Sequence, residues 1–267
     1  VHSYTGVAAR LTVHEPVMVT GYADDDRNEE SPNIQNLLSR HSFPRGARVG
    51  VILHSLMEDL DFQTDDRSSL CDRTLRRLGL EDEWLPVLEQ WVQDILKASL
   101  GQFSLKDIGL TDRLDEMEFH FPLATSTNLV QFLAEKGYLE GASNKALLLQ
   151  GQMTGLIDLL FRRDGKYYIA DYKSNFLGNS LMDYNDESIA HAMQSHQYHL
   201  QYLIYSVAVH RMLKQKLPGY QYETHMGGAY YLFLRGMNQQ DSRGIFFTKP
   251  DLDTVARLDE LLGGISG

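Results

Sequence analysis

Two apolar segments separated by an Asp-Gly pair place the strongest constraint on how this chain folds. Residues 155–161 (GLIDLLF) and 167–172 (YYIADY) consist mostly of residues that favour β-strands, and Asp164-Gly165 lies between them. An Asp-Gly pair between two such segments favours a tight turn and an antiparallel hairpin. The sequence therefore predicts a β-hairpin with its turn at Asp164-Gly165.

The predicted hairpin carries charged residues that core packing does not explain. Folding at the turn brings Asp158 opposite Asp171, and Lys173 shares a strand face with Asp171 because strand side chains alternate. Two facing carboxylates repel each other, so one should shift toward protonation unless a cation lies between them. A hard divalent cation with oxygen ligands removes this conflict. These residues alone leave a second possibility, an ion-pair triad on an exposed face of the sheet.

A metal ion held by two aspartates next to a lysine is suited to hydrolysis of a phosphodiester bond. The metal lowers the pKa of a bound water and stabilises the leaving oxygen. Lys173 can position the attacking water or stabilise charge on the phosphate. The hairpin therefore indicates a nuclease as one function of the chain.

The rest of the chain predicts helices around a small mixed sheet, which is an α/β class. Residues 1–44 are weakly patterned and are interpreted as a linker or arm before a single domain at 45–267. Apolar residues recur at helical spacing from Val49, and residues 187–214 are predicted to form one long helix. Further helices are predicted at 69–79, 83–100, 127–136 and 250–262, and further strands at 10–20, 114–123 and 226–235.

The composition excludes several classes of protein. Acidic residues number 36 and basic residues 25, which argues against nonspecific coating of nucleic acid but not against an enzyme with one small site. The single cysteine, Cys71, excludes a disulfide framework and cysteine-based zinc or iron–sulfur sites. It also fits a reducing compartment, so we expect a cytoplasmic location. No run approaches the roughly 18 apolar residues of a membrane span, and no P-loop motif is present.

The order of several motifs resembles one nuclease family. Gly155-Leu156-Ile157-Asp158, with Asp171-Tyr172-Lys173 following, resembles the core of the PD-(D/E)xK nuclease superfamily. The surrounding residues are similar to the nuclease domain of RecB-type subunits of exodeoxyribonuclease V (RecBCD), which have Gly-x-x-Asp and no proline at this point. Three further motifs match that family in order: Gly50-x-x-x-His54-x-x-x-Glu58, Glu118 in MEFHFP, and Gln201-x-x-x-Tyr205.

The resemblance implies a restriction-endonuclease-like fold, in which a small mixed β-sheet with a catalytic hairpin is flanked by helices. It also implies a magnesium-dependent DNA nuclease with one or two metal ions, for which Ca²⁺ or Mn²⁺ can substitute in binding. Lys173 would activate water. The implied metal ligands are His54, Asp158, Asp171 and the backbone carbonyl of Tyr172.

The resemblance assigns supporting roles to the other motif residues. Glu118 would complete the acidic cluster or reach a second metal ion. Gln201 and Tyr205, one helical turn apart, would contact DNA or brace the site. Glu58 lies one turn beyond His54 and would orient its imidazole or be solvated. A lone histidine on an apolar helix face is otherwise a core residue, and only the surrounding motif favours metal binding by His54. Three further histidines are interpreted as surface residues: His191, His196 and His199.

The resemblance also implies partners. The substrate would be DNA strands unwound by a helicase region upstream in the same subunit, during double-strand break repair and homologous recombination. RecC, RecD and RecA would be the protein partners, and no membrane would be involved. Two alternatives stay open, a protein-docking module for RecC and RecA loading in which catalysis is secondary or lost, and a degenerate nuclease fold.

Overall fold

The fold is built on a mixed β-sheet whose two central strands form a hairpin. The computed structural model describes residues 2–3, 38–123, 128–138 and 151–263. The expected strand at residues 10–20 lies outside these ranges. The strands of the described sheet are β1 (His2–Ser3), β2 (Arg113–Leu123), β3 (Gly151–Arg163), β4 (Lys166–Lys173), β5 (Met226–Phe233) and β6 (Ile245–Thr248).

The pairing of the strands places β3 and β4 in the middle of the sheet. One edge of β3 pairs antiparallel with β2, and the other edge is shared by β4 near the turn and by β1 at Met153 and Thr154. β4 pairs parallel with β5, and β5 pairs antiparallel with β6. The strands predicted at 114–123 and 226–235 are therefore confirmed as β2 and β5.

The predicted hairpin and its register are confirmed. β3 and β4 pair from the turn as far as Leu159 and Ala170. Both residues of the Asp-Gly turn have positive φ, 49° and 76°, as this tight hairpin turn requires. The next pair in the same register is Asp158 with Asp171, but the ladder ends before it. The two strands therefore separate where the charged residues lie.

Helices cover both faces of the sheet and divide the core in two, so the central strands are buried on both sides. No helix in the described ranges is long and apolar enough to cross a membrane. One core lies under α1 (Ala47–Asp59), α2 (Ser68–Leu78) and α3 (Leu85–Lys97). The other core lies under α4 (Leu129–Glu135), α5 (Asp186–Ser195), α6 (Tyr198–Lys216), α7 (Tyr222–His225) and α8 (Leu252–Leu261). Short 3-10 turns span Asp82–Trp84, Leu105–Asp107, Leu110–Asp112 and Leu181–Tyr184.

The prediction of one long helix at residues 187–214 is wrong. The chain forms α5 and α6 instead, and Gln197 between them has a φ of 54°, in the left-handed region. No glycine or proline marks this break in the sequence. The side chains of His196 and Tyr198 both contact Asn175, which follows β4. Contacts between distant segments therefore determine the break, and local sequence does not reveal it.

Two further features differ from the predictions. β6, a strand of 4 residues at the edge of the sheet, is not among the predicted strands. His191 is exposed as expected, but His196 and His199 are partly buried. The ring of His199 packs against Tyr202 and Phe246, and burial lowers its pKa. His196 and His199 therefore pack partly against the protein and do not lie on a solvated helix face.

Residues 38–44, which the sequence analysis assigned to the arm, pack against the domain. The side chain of Phe43 is buried and makes edge contacts with the rings of Trp84 and Trp91. The buried guanidinium of Arg235, which follows β5, donates hydrogen bonds to three carbonyl oxygens of this segment. The described part of the domain thus includes residues before position 45.

Two motif glycines lie where neighbouring segments approach closely. A Cβ atom at Gly50 on α1 would lie 2.9 Å from Oγ of Ser174, the residue after Lys173. A Cβ atom at Gly155 on β3 would lie 2.4 Å from Cζ of Phe119 on β2. Glycine at position 50 therefore lets α1 pack against the end of β4, and glycine at position 155 leaves room for the Phe119 ring.

We predict that Gly155→Ala lowers the free energy of unfolding by about 1–3 kcal/mol, because the Phe119 ring must move out of a packed core. Phe119 stacks on Phe121 and makes an edge contact with Tyr205, so it has little room to move. Urea unfolding measures the effect. Gly109→Ala is the control, since its Cβ would meet only the exposed side chain of Gln63. Equal losses in both variants would contradict the prediction.

Candidate active site

Asp158 occupies the gap that opens between β3 and β4. Its Oδ2 accepts a hydrogen bond of 2.8 Å from the backbone N–H of Tyr172, so the carboxylate connects the two strands beyond the end of the ladder. Helix α1 brings Nδ1 of His54 to 3.4 Å from the same oxygen. The side chains of His54 and Asp158 remain 18% and 16% exposed, so solvent reaches this pair.

Asp171 and Lys173 form a buried ion pair next to Asp158. Nζ of Lys173 lies 2.6 Å from Oδ2 of Asp171, and the two side chains are only 9% and 4% exposed. The Lys173 ammonium also donates to Oε1 of Gln201 at 3.2 Å. Because desolvation of both charges offsets their attraction, a buried ion pair like this one is weak evidence of stabilisation.

The surroundings of the two aspartates shift their pKa values in opposite directions. Burial raises the pKa of Asp171 to about 6 against the pull of Lys173, and the charge of Asp158 adds to the rise. Burial acts on Asp158 as well, but His54, Lys173 and the Tyr172 N–H outweigh it and lower the Asp158 pKa. Burial also opposes protonation of His54, yet Asp158 raises the His54 pKa overall. The direction agrees with the expectation that one carboxylate shifts toward protonation, but burial contributes more to the raised Asp171 pKa than repulsion by Asp158 does.

Gln201 and Tyr205 on α6 lie buried inside the site. Oε1 of Gln201 accepts hydrogen bonds from Lys173 and, at 2.9 Å, from the Tyr231 hydroxyl. Nε2 of Gln201 donates to the Tyr205 hydroxyl at 3.0 Å, and that hydroxyl donates to the Leu156 carbonyl at 2.7 Å. This chain of hydrogen bonds joins the lysine on β4 to the main chain of β3. Of the two predicted roles, these contacts support bracing.

The glutamates of the site are arranged differently from the expectation. Glu118 is exposed and lies opposite Leu156. In the same register, the residue of β2 opposite Asp158 on β3 is Glu116, which has a φ of 49°. Burial and the Glu116 carboxylate raise the pKa of Glu58, so Glu58 on α1 lies next to Glu116. Strand alternation alone cannot find Glu116, because the register of β2 on β3 depends on the long connection between them. The roles given to Glu118 and Glu58 stay predictions.

The donors around the gap have the chemistry that a hard divalent cation requires. Asp158 and Asp171 offer carboxylate oxygens, and His54 offers an imidazole nitrogen. Within the described ranges, no group of three His, Cys, Asp or Glu side chains is arranged to hold a metal ion as it stands. These side chains are instead held in ion pairs, which a bound cation would have to replace. The carbonyl of Tyr172 stays a predicted ligand.

The sequence matches the model of one protein family. The family model of the PD-(D/E)XK nuclease superfamily matches residues 32–262. The chain belongs to the PD-(D/E)XK nuclease superfamily. The matched span contains every residue of the site described above, and the mixed sheet flanked by helices agrees with the restriction-endonuclease-like α/β fold expected of this superfamily.

Curated relatives of this PD-(D/E)XK nuclease share one description, RecBCD enzyme subunit RecB. The protein of Escherichia coli K12 is 38% identical over 237 residues, which cover 86% of this chain and 20% of that protein. The protein of Haemophilus influenzae Rd is 36% identical, over 87% of this chain and 19% of its own length. The protein of Mycolicibacterium smegmatis is 30% identical, over 82% and 24%. The resemblance to RecB is thus confirmed, and the chain spans about a fifth of its first relatives' length.

We predict that Tyr205→Phe lowers the free energy of unfolding by about 1–2 kcal/mol, because the Leu156 carbonyl and the Gln201 amide lose their partner. Tyr172→Phe also removes a hydroxyl group. The Tyr172 hydroxyl is buried and has no hydrogen-bond partner among the described residues. That variant should be neutral or more stable. Chemical denaturation compares them, and a larger loss for Tyr172→Phe would contradict the assigned hydrogen bonds.

Proposed function

We propose that this chain is the nuclease domain of a RecB-like subunit and that it hydrolyses phosphodiester bonds of DNA with magnesium. The observation that carries the proposal is the group of Asp158, Asp171 and Lys173 at the point where β3 and β4 separate. Two carboxylates that can bind a metal ion and a lysine lie together where solvent reaches Asp158, and phosphodiester hydrolysis uses such groups. Membership of a nuclease superfamily and the RecB relatives support the same chemistry.

The proposed roles follow from the contacts of each side chain. His54, Asp158 and Asp171, with the Tyr172 carbonyl, would hold the magnesium ion, which when bound would acidify a water and stabilise the leaving oxygen. Lys173 would hold the attacking water or the negative charge on the phosphate, since its ammonium is fixed at the edge of the gap. A second ion would draw on the glutamates of the site, Glu116 and Glu118 on β2 and Glu58 on α1.

The proposed substrate is a DNA strand delivered by other parts of a larger enzyme. The relatives are described as subunits of the RecBCD enzyme, so we propose RecC, RecD and an upstream helicase region as partners, and RecA as the protein that receives the cut strand. The cellular role would be double-strand break repair and homologous recombination in the cytoplasm. A net charge of −11 fits this arrangement, because an acidic domain binds DNA weakly by itself.

We predict that the chain degrades single-stranded DNA with magnesium and that EDTA abolishes this activity. Asp171→Asn and Lys173→Met should each lower the rate at least about 100-fold, because each removes a charge needed at the reacting phosphate. The measurement is release of labelled fragments, with circular dichroism to show that both variants fold.

Lys106→Met is the matched control for these variants. Lys106 also pairs with an aspartate, Asp65, but at an exposed position away from the gap. This variant should keep the wild-type rate. Activity that survives both Asp171→Asn and Lys173→Met would contradict the proposed function, and so would an equal loss in the control.

We predict that magnesium or calcium raises the melting temperature of the wild-type chain, because the cation relieves repulsion between the two aspartates. At a cation concentration of about 100 times the dissociation constant, the free energy of unfolding rises by about 2.7 kcal/mol, which raises the melting temperature by several degrees. Asp158→Asn should lose the shift. Asp112→Asn, which removes an exposed carboxylate paired with Arg162, should keep it. The same shift in all three proteins would show that the ions bind elsewhere.

A further inference from the structure

The Lys173 ammonium is surrounded by more than its two polar acceptors. Nζ lies 3.9 Å from the ring centroid of Tyr198 and 5.2 Å from that of Tyr231, in addition to its contacts with Asp171 and Gln201. A cation over the face of an aromatic ring is attracted by the negative charge density of that face. The Tyr198 ring therefore forms one wall of the pocket that holds the ammonium.

Tyr198 is itself tied to the strand segment that carries Lys173. Its hydroxyl donates to Oδ1 of Asn175 at 3.2 Å, and Asn175 is a buried residue two positions after Lys173. Nδ2 of Asn175 lies 3.4 Å from Nε2 of His196, whose ring is stacked on the Tyr198 ring at 5.2 Å. The ring thus contacts the lysine with its face and the same segment with its hydroxyl.

The backbone at the start of α6 places Tyr198 in this position. Gln197, immediately before it, adopts the left-handed conformation with a φ of 54°. A residue other than glycine is strained in this region, and such strain persists only where surrounding contacts impose it. The break between α5 and α6 therefore has a consequence at the site, because it starts α6 with a ring over Lys173.

We propose that Tyr198 is a positioning residue that holds the Lys173 ammonium at the reacting phosphate through the face of its ring. This inference rests on the proposed function. A divalent cation bound by Asp171 would compete with Lys173 for that carboxylate. Gln201 and Tyr198 are the contacts that would then keep the ammonium in place. Tyr198 lies outside the motifs that the sequence resemblance identified, although it precedes Gln201 by one helical turn.

The test varies the negative charge density on the face of the ring at position 198 while it preserves the shape of the side chain. Phenylalanine at position 198, and then phenylalanine with one, two and three ring fluorines, progressively weaken the attraction for a cation with little change in volume. We expect kcat for single-stranded DNA to fall stepwise with fluorine number, to about 10-fold below Tyr198→Phe, while KM stays nearly constant. Tyr198→Phe itself should remain close to wild type.

A second measurement reports on the lysine without DNA or metal. The ¹⁵N resonance of the Lys173 ammonium, assigned by its loss in Lys173→Arg, should be protected from exchange in the wild type and broadened in Tyr198→Leu. Tyr222→Leu is the control, because Tyr222 is more deeply buried than the partly buried Tyr198 but lies on α7 beside His210. This control should lower the melting temperature and leave both kcat and the ammonium signal unchanged.

The outcomes separate this inference from the proposed function. An active wild type whose kcat does not depend on fluorine number would overturn the role of Tyr198 alone. A Tyr198→Phe variant as impaired as Tyr198→Leu would also overturn it, because the hydroxyl bond to Asn175 would then be the important contact. A wild type without nuclease activity would overturn the proposed function and this inference with it.

Discussion

Two buried charged side chains and one partly buried one lie where the two central strands separate, and the arrangement of the site follows from them. Asp158, Asp171 and Lys173 could not remain in an apolar core without partners, since isolated charges there are very unfavourable. Each surrounding element supplies a compensating contact. Helix α1 brings His54, β4 offers the Tyr172 N–H, and α6 brings Gln201. The helices that cover the sheet therefore fix the position and ionisation of the site.

The hairpin could be predicted in detail because its determinants are local. The Asp-Gly turn fixes the register, and a two-residue periodicity then decides which charges face each other. The register of β3 and β4 and the proximity of Asp158 to Asp171 both follow from these two facts, whereas the raised pKa of Asp171 depends mainly on burial by the surrounding elements. Helix α1 was predictable for a similar reason, since its buried residues recur at helical spacing.

The features that sequence reasoning missed arise from contacts between distant segments. The break at Gln197 has no local signal and follows from the contacts of its neighbours with Asn175. The position of Glu116 across from Asp158 depends on the register between strands joined by a long connection. In both cases the missed feature alters the site, because one places Tyr198 over Lys173 and the other brings a glutamate beside Glu58.

The proposed function depends on the binding of one divalent cation by Asp158 and Asp171 between β3 and β4. Crystals of the chain soaked in manganese, measured at a wavelength where manganese scatters anomalously, test it most directly. We predict a peak within coordination distance of both carboxylates, with Lys173 displaced from Asp171 and still in contact with Gln201. A peak at other residues, or none at a manganese concentration that supports DNA cleavage, would contradict the proposed metal site.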